Sequence, residues 1–280
     1  RNVTMNFSVV DDVKNFLKED VGSGDLTASI IPESCIAEAE VVSREPMVLC
    51  GQDWFSAVFQ VLNPEIKILW LRAEGEEAPA DAVLCQLSGS ARDLLTGERT
   101  ALNLLQTLSA VATKARIYAK AISGTDCKIL DTRKTLPGLR NAQKYAVKCG
   151  GCFNHRIGLY DGILIKENHI IAAGSIKDAV MHARKVSSVP LEVEVESLDE
   201  LRQALEVAPD RIMLDNFSIE DMRIAVDLNT VGVELEASGN ISLETIREIA
   251  ETGVDFISVG ELTKNIKAID LSMRIIFEGT

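Results

Sequence analysis

Leu191-Glu-Val-Glu-Val-Glu-Ser-Leu-Asp-Glu200 joins a short apolar run to the start of a helix. Valine at alternate positions is typical of a β-strand, and Ser197 followed by Glu200 has the spacing of a capping box at a helix N-terminus. A strand that leads into a returning helix is the unit from which parallel sheets are built. This segment therefore predicts one strand and one helix of an α/β fold.

The same arrangement recurs along the chain from residue 126 onward. Six apolar runs have the length of strands: Lys128-Ile-Leu130, Gly162-Ile-Leu-Ile165, Leu191-Glu-Val-Glu-Val195, Ile212-Met-Leu214, Val233-Glu-Leu-Glu236 and Phe256-Ile-Ser-Val259. Ser218 and Ser242 stand where the N-caps of two returning helices are expected. Six such units predict a closed or nearly closed parallel barrel, whose active site lies at the C-terminal ends of the strands.

Residues 1–96 have a different pattern. A helix is predicted over 10–19, followed by alternating apolar runs at 37–42, 47–49, 66–71 and 82–87 with Gly and Pro between them. Such runs indicate a small antiparallel α+β domain. A long helix over 96–122, with apolar residues recurring at intervals of three and four, then leads into the barrel.

Composition excludes several classes of protein. The 280 residues carry a formal net charge of −13, which argues against nonspecific binding of nucleic acid. No apolar run is long enough to span a membrane, and residues 1–8 lack the apolar core of a signal peptide. The six cysteines are interpreted as reduced thiols of a cytoplasmic protein.

Cys149-Gly-Gly-Cys152 has the spacing of a redox or metal motif. No second pair of cysteines lies near it in the sequence, and the chain has only three histidines, so a zinc site is not expected. We interpret the motif as the end of a helix, with Gly150 or Gly151 as the residue that follows the C-cap.

A cluster of basic residues lies between positions 133 and 166 of this acidic chain: Arg133, Lys134, Arg140, Lys144, Lys148, Arg156 and Lys166. Asp161 is the one acidic residue in the same interval. Such a cluster predicts a pocket for a small anion, because arginine binds carboxylates and phosphates in a bidentate manner. Arg133 and Lys166 follow strand runs and are functional candidates. Arg140, Lys144 and Lys148 are four residues apart, which is typical of a solvated helix face. For His155, the sequence leaves both a binding role and a structural role open.

Carboxylates and small residues end the later strands. Glu194 and Asp215 could hold a divalent cation or stabilise a developing positive charge, although an ion pair with Lys166 is the alternative. Glu192 and Glu196 alternate with Glu194, and the face that each occupies stays open. Ser238-Gly239-Asn240 and the segment around Gly260 follow the last two strands, where backbone N–H groups often bind phosphate. Ordinary strand-to-helix turns also use such residues.

The chain resembles the quinolinate phosphoribosyltransferases, which are type II phosphoribosyltransferases. The resemblance covers nearly the whole chain in order and rests on these motifs: Val21-Gly-Ser-Gly-Asp-Leu-Thr27, Leu95-Thr-Gly-Glu-Arg-Thr-Ala-Leu-Asn103, Asp131-Thr-Arg-Lys-Thr-Leu-Pro-Gly-Leu-Arg140, Asn154-His-Arg-Ile-Gly-Leu159, Leu164-Ile-Lys-Glu-Asn-His169, Leu214-Asp-Asn216, Glu236-Ala-Ser-Gly239 and Ser258-Val-Gly260. It implies an N-terminal α+β sandwich domain over 1–110, to which a tail over 268–280 returns, and an incomplete parallel α/β barrel, similar to a TIM barrel, over 111–267.

The resemblance also implies an activity and a set of site residues. Quinolinate would react with phosphoribosyl pyrophosphate and Mg²⁺ to give nicotinate mononucleotide, pyrophosphate and CO₂. The residues implied to hold the two carboxylates of quinolinate are Arg133, His155, Arg156 and Lys166, with Arg99 reaching in from the neighbouring subunit of a homodimer or larger oligomer. Those implied to bind the phosphoribosyl donor are Lys134, Glu194, Asp215, Ser238, Gly239 and Gly260. Lys134, Glu194 and Asp215 would be catalytic, and Glu194 and Asp215 would bind Mg²⁺.

Three other interpretations remain open from the residues. An enolase-like barrel would use Lys166 as a base and Glu194, Asp215 and Glu236 as Mg²⁺ ligands, but it leaves Arg133 and Arg156 without a task. A paralogue of the same fold would transfer phosphoribosyl to another acceptor. A non-catalytic binding protein would keep the fold without the reaction.

Overall fold

The structure is a computed structural model that describes residues 8–277. Its helices are α1 (Val9–Val21), α2 (Gln52–Leu62), α3 (Ala91–Ala121), α4 (Arg140–Cys149), α5 (Glu167–Ala173), α6 (Ile176–Val186), α7 (Leu198–Val207), α8 (Ile219–Leu228), α9 (Ile246–Ala250) and α10 (Glu261–Lys264). Its strands are β1 (Ile36–Ser43), β2 (Met47–Val48), β3 (Lys67–Trp70), β4 (Glu77–Ala78), β5 (Val83–Ser90), β6 (Lys128–Leu130), β7 (Ile163–Ile165), β8 (Leu191–Val195), β9 (Arg211–Asp215), β10 (Glu234–Ser238), β11 (Phe256–Ser258) and β12 (Leu271–Phe277). None of the helices in this part of the chain is long and apolar enough to cross a membrane.

Contacts within the chain divide it into two compact units. The first contains the residues up to Ala115, the segment Leu136–Gly150 and the residues from Asn265 onward. The second contains Arg116–Thr135 and Gly151–Lys264. The predicted boundary at 110/111 lies close to this division, but the contacts also assign α4 to the first unit, whereas the sequence includes it in the barrel segment.

The first unit contains an antiparallel sheet with the strand order β12-β1-β5-β3. The register pairs Ala37 with Phe277 and Ser43 with Leu271, so the late strand β12 completes this sheet, as the resemblance implies. The short strands β2 and β4 form a separate antiparallel pair. The expectation of an antiparallel α+β domain is confirmed.

Helix α2 is missing from the sequence prediction, although it carries much of the first unit's core. Trp54, Phe55 and Phe59 are buried, and the Phe55 ring lies 5.2 Å from that of Phe59 and 5.3 Å from that of Trp70. Burial of one large apolar side chain contributes about 1.5–3 kcal/mol. The apolar positions of α2 recur at helical spacing, which is the signal that would have identified it.

The second unit is built on a parallel six-stranded sheet with the order β6-β11-β10-β9-β8-β7. Consecutive strands β6 and β7 occupy its two edges, and one isolated bridge, from Leu130 to Phe153, extends β6. A closed barrel would pair these two edge strands directly. The predicted incomplete α/β barrel is therefore confirmed.

Local capping explains where several helices begin and end. Ser197 Oγ accepts a hydrogen bond from the Glu200 N–H (3.2 Å), and Ser218 Oγ accepts one from the Asp221 N–H (3.1 Å), as expected of N-caps. The prediction for Ser242 is wrong, since α9 begins at Ile246. Ser242 instead forms a turn, in which its N–H donates to the Thr245 hydroxyl. Gly150 caps α4 and Gly151 follows with φ +99°, which confirms the helix end predicted there.

Candidate active site

A cavity of about 460 Å³ opens at the C-terminal ends of the barrel strands. It is lined by Thr132, Arg133, Lys134, His155, Arg156, Leu164, Lys166, Glu194, Met213, Asp215, Glu236, Ser238 and Ser258. Eight of these residues are site residues implied by the resemblance: Arg133, Lys134, His155, Arg156, Lys166, Glu194, Asp215 and Ser238. Glu236 belongs to the enolase-like alternative. The structure thus brings the cationic and the carboxylate candidates to one cavity.

Four cationic side chains line one part of this cavity, namely those of Arg133, Lys134, Arg156 and Lys166. Arg133 has no carboxylate partner among residues 8–277, and Arg156 Nη1 donates to the Gly162 carbonyl (3.0 Å). The pKa of the Arg156 guanidinium is lowered, first by its partial burial and then by the nearby charge of Arg133. Two guanidinium groups that repel each other form a site that an anion stabilises.

His155 lies between the cavity and the interior of the barrel. Its Nδ1 accepts from the Arg156 N–H (2.8 Å), while its Nε2 lies 2.8 Å from a carboxylate oxygen of Glu192 and 3.5 Å from one of Glu236. Nδ1 is therefore engaged in a hydrogen bond, while Nε2 faces the two carboxyl groups. Asp131, which is fully buried, fixes this segment by accepting from the His155 N–H (2.9 Å) and the Asn154 side-chain amide (2.6 Å).

Two buried carboxyl groups lie beneath His155. Burial raises the pKa of Glu192 to about 7, and burial together with the charge of Glu192 raises that of Glu236 to about 7. Arg211 contacts Glu236 (2.9 Å), while the same guanidinium lies over the ring of Phe256. In the sequence the face occupied by Glu192 stayed open, and Glu236 was named only as a Mg²⁺ ligand of the enolase-like alternative.

A group of carboxylates borders the other side of the cavity. Lys166 Nζ forms an ion pair with Glu194, which is the alternative that the sequence left open. Carboxylate oxygens of Glu194, Glu196 and Asp215 lie within 4.8 Å of one another. Such oxygen donors suit a divalent cation of the Mg²⁺ type. The pKa of Glu196 is raised, chiefly by the neighbouring charge of Glu167, so the group is crowded with negative charge.

Lys134 is held by groups on both sides of its backbone. Its N–H donates to Thr132 Oγ1 (3.1 Å), and its carbonyl accepts from the Thr263 hydroxyl (2.8 Å). A Cβ at Gly260 would lie 3.1 Å from Lys134 Cδ, so a larger residue there would displace the lysine. Gly260 therefore supports the position of Lys134, although it does not line the cavity itself.

Gly239 allows the loops that follow β9 and β10 to pack closely against each other. Its φ is +94°, and a Cβ there would lie 2.2 Å from Asn216 Oδ1. Asn216 in turn donates its N–H to the Ser238 carbonyl (2.9 Å). Only glycine fits this position. The next helix, α9, begins only at Ile246, so Gly239 and Asn240, which follow the end of β10 at Ser238, lie in a loop and not at a helix N-terminus.

Arg99 lies on α3 in the first unit, and its side chain is exposed. Its predicted role requires a second chain, so the structure of one chain leaves this role a prediction.

The barrel and this site define a class of protein: an α/β-barrel enzyme for a small anionic substrate. Two family models match the chain. The quinolinate phosphoribosyl transferase C-terminal domain matches residues 111–274, and the N-terminal domain of the same family matches residues 25–109. The chain therefore belongs to the quinolinate phosphoribosyl transferase family.

Individual relatives agree with this assignment. The probable nicotinate-nucleotide pyrophosphorylase [carboxylating] of Bacillus subtilis is 40% identical over 265 residues, covering 94% of this chain and 92% of the relative. The solved nicotinate-nucleotide pyrophosphorylase of Francisella tularensis is 50% identical, with a TM-score of 0.92 and 96% of each chain covered. NadC from Streptococcus pyogenes is 36% identical with a TM-score of 0.93, covering 98% of this chain and 99% of that one.

Proposed function

We propose that this chain transfers phosphoribosyl from phosphoribosyl pyrophosphate to quinolinate with decarboxylation, the reaction that forms nicotinate mononucleotide in NAD biosynthesis. The pyridine nitrogen bonds to the anomeric carbon as the bond from that carbon to pyrophosphate breaks. The carboxylate at ring position 2 then leaves as CO₂ and a proton takes its place. The single observation that carries this function is the cavity that Arg133, Arg156 and Lys166 line together, because three cations at one site suit a dicarboxylate.

The quinolinate site is assigned to Arg133, Arg156 and Lys166, with His155 at its border. Arginine binds a carboxylate through two parallel hydrogen bonds, which fixes the orientation of the pyridine ring. A fixed ring places its nitrogen for attack, and such positioning lowers a barrier by several kcal/mol, on the order of the effect seen in intramolecular reactions. His155 Nδ1 accepts from the Arg156 N–H and its Nε2 faces Glu192, so a substrate carboxylate would compete with Glu192 for this ring.

The phosphoribosyl donor is assigned to the opposite side of the cavity. Lys134, Ser238, Gly239 and Gly260 would surround its phosphates, and Glu194, Glu196 and Asp215 would hold Mg²⁺. The donor set supports this ion, since the three carboxylates lie within 4.8 Å of one another. Mg²⁺, when bound, supplies charge that neutralises pyrophosphate. Breaking the ribose bond creates positive charge at the anomeric carbon, which the carboxylates near it stabilise.

We further propose a cytoplasmic homodimer in which Arg99 reaches the quinolinate site of the partner subunit. The exposure of Arg99 in the single chain supports this arrangement, as do the exposed apolar side chains of Leu159 (72%) and Tyr160 (73%). No disulfide joins any of the six cysteines, all of which the structure describes, in keeping with a reducing compartment.

The proposed function is tested by following the loss of quinolinate absorbance after phosphoribosyl pyrophosphate and Mg²⁺ are added. A parallel reaction contains nicotinate in place of quinolinate. We expect turnover of quinolinate alone, with release of CO₂. Turnover of nicotinate alone, or of neither acid by folded protein, would contradict the proposed acceptor.

A further inference from the structure

Three segments of the first unit bring two thiols and a carboxylate together. Cys50 follows β2, Glu74 lies in the turn before β4, and Cys149 ends α4. The sulfur atoms of the two cysteines and a carboxylate oxygen of Glu74 lie within 4.8 Å of one another. None of these residues belongs to the barrel unit, so the function proposed above gives them no task.

We propose that Cys50, Glu74 and Cys149 form a zinc site. Thiolate sulfur and carboxylate oxygen are both zinc ligands, at about 2.3 Å and about 2.0–2.2 Å from the ion. Donors that share one tetrahedral zinc are therefore about 3.5–3.8 Å apart. The three donor atoms, which lie within 4.8 Å of one another, need to approach by at most about 1 Å to reach that spacing. Binding replaces the two thiol protons, which are released to solvent.

The backbone around two of the ligands is already fixed. The Cys50 N–H donates to Ser109 Oγ (3.1 Å), and the Ser109 hydroxyl lies 3.1 Å from the Cys50 carbonyl. The carboxylate of Glu74 accepts from the N–H groups of Gly51 (2.8 Å) and Gln52 (3.2 Å). Hydrogen bonds of this kind orient a ligating carboxylate and leave lone pairs for a metal.

The third ligand is held by the turn that carries Glu74. Gly75 has φ +81°, and a Cβ there would lie 3.4 Å from the Cys149 sulfur. The Gly75 N–H donates to the Leu49 carbonyl (2.8 Å), which also lies 3.9 Å from the Cys149 sulfur. The Tyr145 hydroxyl, one helical turn before Cys149, is near the Glu74 carboxylate. The fourth position of the ion falls to this hydroxyl or to water.

The position of the Glu74 carboxylate beside the two thiols fits a metal site better than it fits a disulfide. Oxidation of the two thiols by a peroxide or a small disulfide would need one of them as thiolate. The negative charge of Glu74 opposes that ionisation. A divalent cation instead attracts all three donors, and the mixed set of sulfur and oxygen favours zinc over Cu(I), which prefers sulfur alone.

The test uses the full chain, untagged and reduced, titrated with Co²⁺ as a spectroscopic substitute for zinc. Thiolate bound to Co²⁺ gives a charge-transfer band in the near ultraviolet, which the oxygen ligands of the barrel site cannot produce. We expect the band to saturate at one equivalent and to disappear when Zn²⁺ is added. Cys50→Ser should abolish it, and Glu74→Gln should weaken Co²⁺ binding at least about tenfold.

Cys85→Ser is the matched control, because Cys85 is also buried in the first unit but lies on β5. It should leave the band unchanged. Cys149→Ser serves as a second variant, since Cys149 is only half-buried and its loss perturbs the core less than that of Cys50. The inference is overturned by a wild-type protein without the band, by a band that survives in either serine variant, or by a Cys50–Cys149 disulfide in a protein that binds no Co²⁺ once reduced. Quinolinate turnover, measured separately, distinguishes failure of this site from failure of the proposed function.

Discussion

Lys166 forms an ion pair with Glu194, the carboxylate that also lies within 4.8 Å of the donor atoms of Glu196 and Asp215. One carboxylate thus serves both the cationic side of the cavity and the group suited to a metal. A quinolinate carboxylate that attracts Lys166 would release Glu194 toward Mg²⁺. Binding of the acid and of the ion should therefore favour each other.

This coupling gives a prediction for Lys166→Met. A half-exposed ion pair is worth about 1 kcal/mol, so its removal should tighten binding of Mg²⁺ or Mn²⁺ about fivefold in the absence of substrate. Quinolinate turnover should be lost at the same time. Calorimetric titration measures the ion, with the exposed Lys177→Met as a control for the lost charge. Unchanged or weaker ion binding in Lys166→Met would show that Glu194 is not shared.

Arg133→Ala should weaken the interaction with quinolinate, the acceptor, and leave binding of the phosphoribosyl donor unchanged. Loss of a charge-assisted contact to a carboxylate costs about 1.5–3 kcal/mol, which corresponds to a fall in kcat/KM for quinolinate of about 10- to 100-fold or more. Binding of phosphoribosyl pyrophosphate, measured by calorimetry, should be retained. Arg202→Ala removes an exposed arginine from α7 and should change neither quantity. Equal turnover of quinolinate by Arg133→Ala would remove this residue from the acceptor site.

Gly239→Ala and Gly232→Ala separate a clash from backbone strain. Both glycines have positive φ, which costs another residue about 1–2 kcal/mol. A Cβ at position 232 meets nothing within 4 Å, whereas one at 239 would lie 2.2 Å from Asn216 Oδ1. We expect both variants to lose stability in denaturant titrations, but only Gly239→Ala to raise the KM for phosphoribosyl pyrophosphate. An equal rise in both would contradict a specific role for the loop after β10.

The proposed sharing of Arg99 between subunits is tested by mixing two inactive variants. Arg99→Ala and Lys166→Ala subunits should each be inactive alone. In a mixed dimer, one of the two sites would receive an intact Arg99 and an intact Lys166, so part of the activity should return. Subunit exchange is verified by mass spectrometry. If exchange is complete and activity stays absent, Arg99 does not act across the interface.

The buried pair Glu192 and Glu236 makes stability depend on pH. The pKa of Glu236 is raised from 4.5 to about 7, so the folded state keeps a proton that the unfolded state releases in this range. The free energy of unfolding should therefore fall as pH rises from about 5 to about 7. Glu236→Gln removes this titration. Between about pH 5 and about pH 7, the free energy of unfolding of the variant should rise relative to that of the wild type by about 1 to 3 kcal/mol. The exposed Glu206→Gln should follow wild type, and parallel curves for all three proteins would contradict the shift.

The sequence predicts the barrel and the residues at the C-terminal ends of its strands, because both depend on patterns within short segments of the chain. Arg133, Lys166 and Asp215 all end or follow apolar strand runs, and parallel strands carry their C-terminal ends to one edge. Knowledge of the strands was thus enough to group these side chains. Glu192 and Glu194 are two residues apart on one strand and therefore share a face, but the sequence does not show whether that face meets the barrel interior, nor how deeply each side chain lies. Glu192 proves to be buried while Glu194 lines the cavity.

Contacts between distant segments lie beyond such reasoning. Cys149 was compared with Cys152, its neighbour in sequence, but its sulfur lies beside Cys50 and Glu74. No motif connects these three positions, because a turn, a loop and a helix end supply one residue each. Asp131 stands in the sequence only as the first residue of a motif, yet it accepts a hydrogen bond from the backbone N–H of His155, 24 residues away.

The pairing of β12 with β1 has a consequence for the order in which the chain folds. Residues 37–43 leave the ribosome early, but their partner strand, residues 271–277, is made only after the whole barrel. Until then one edge of β1 stays open, and such an edge can pair with other chains. Closure over so long an interval is slow, so this edge is where a chaperone has the most time to act during synthesis.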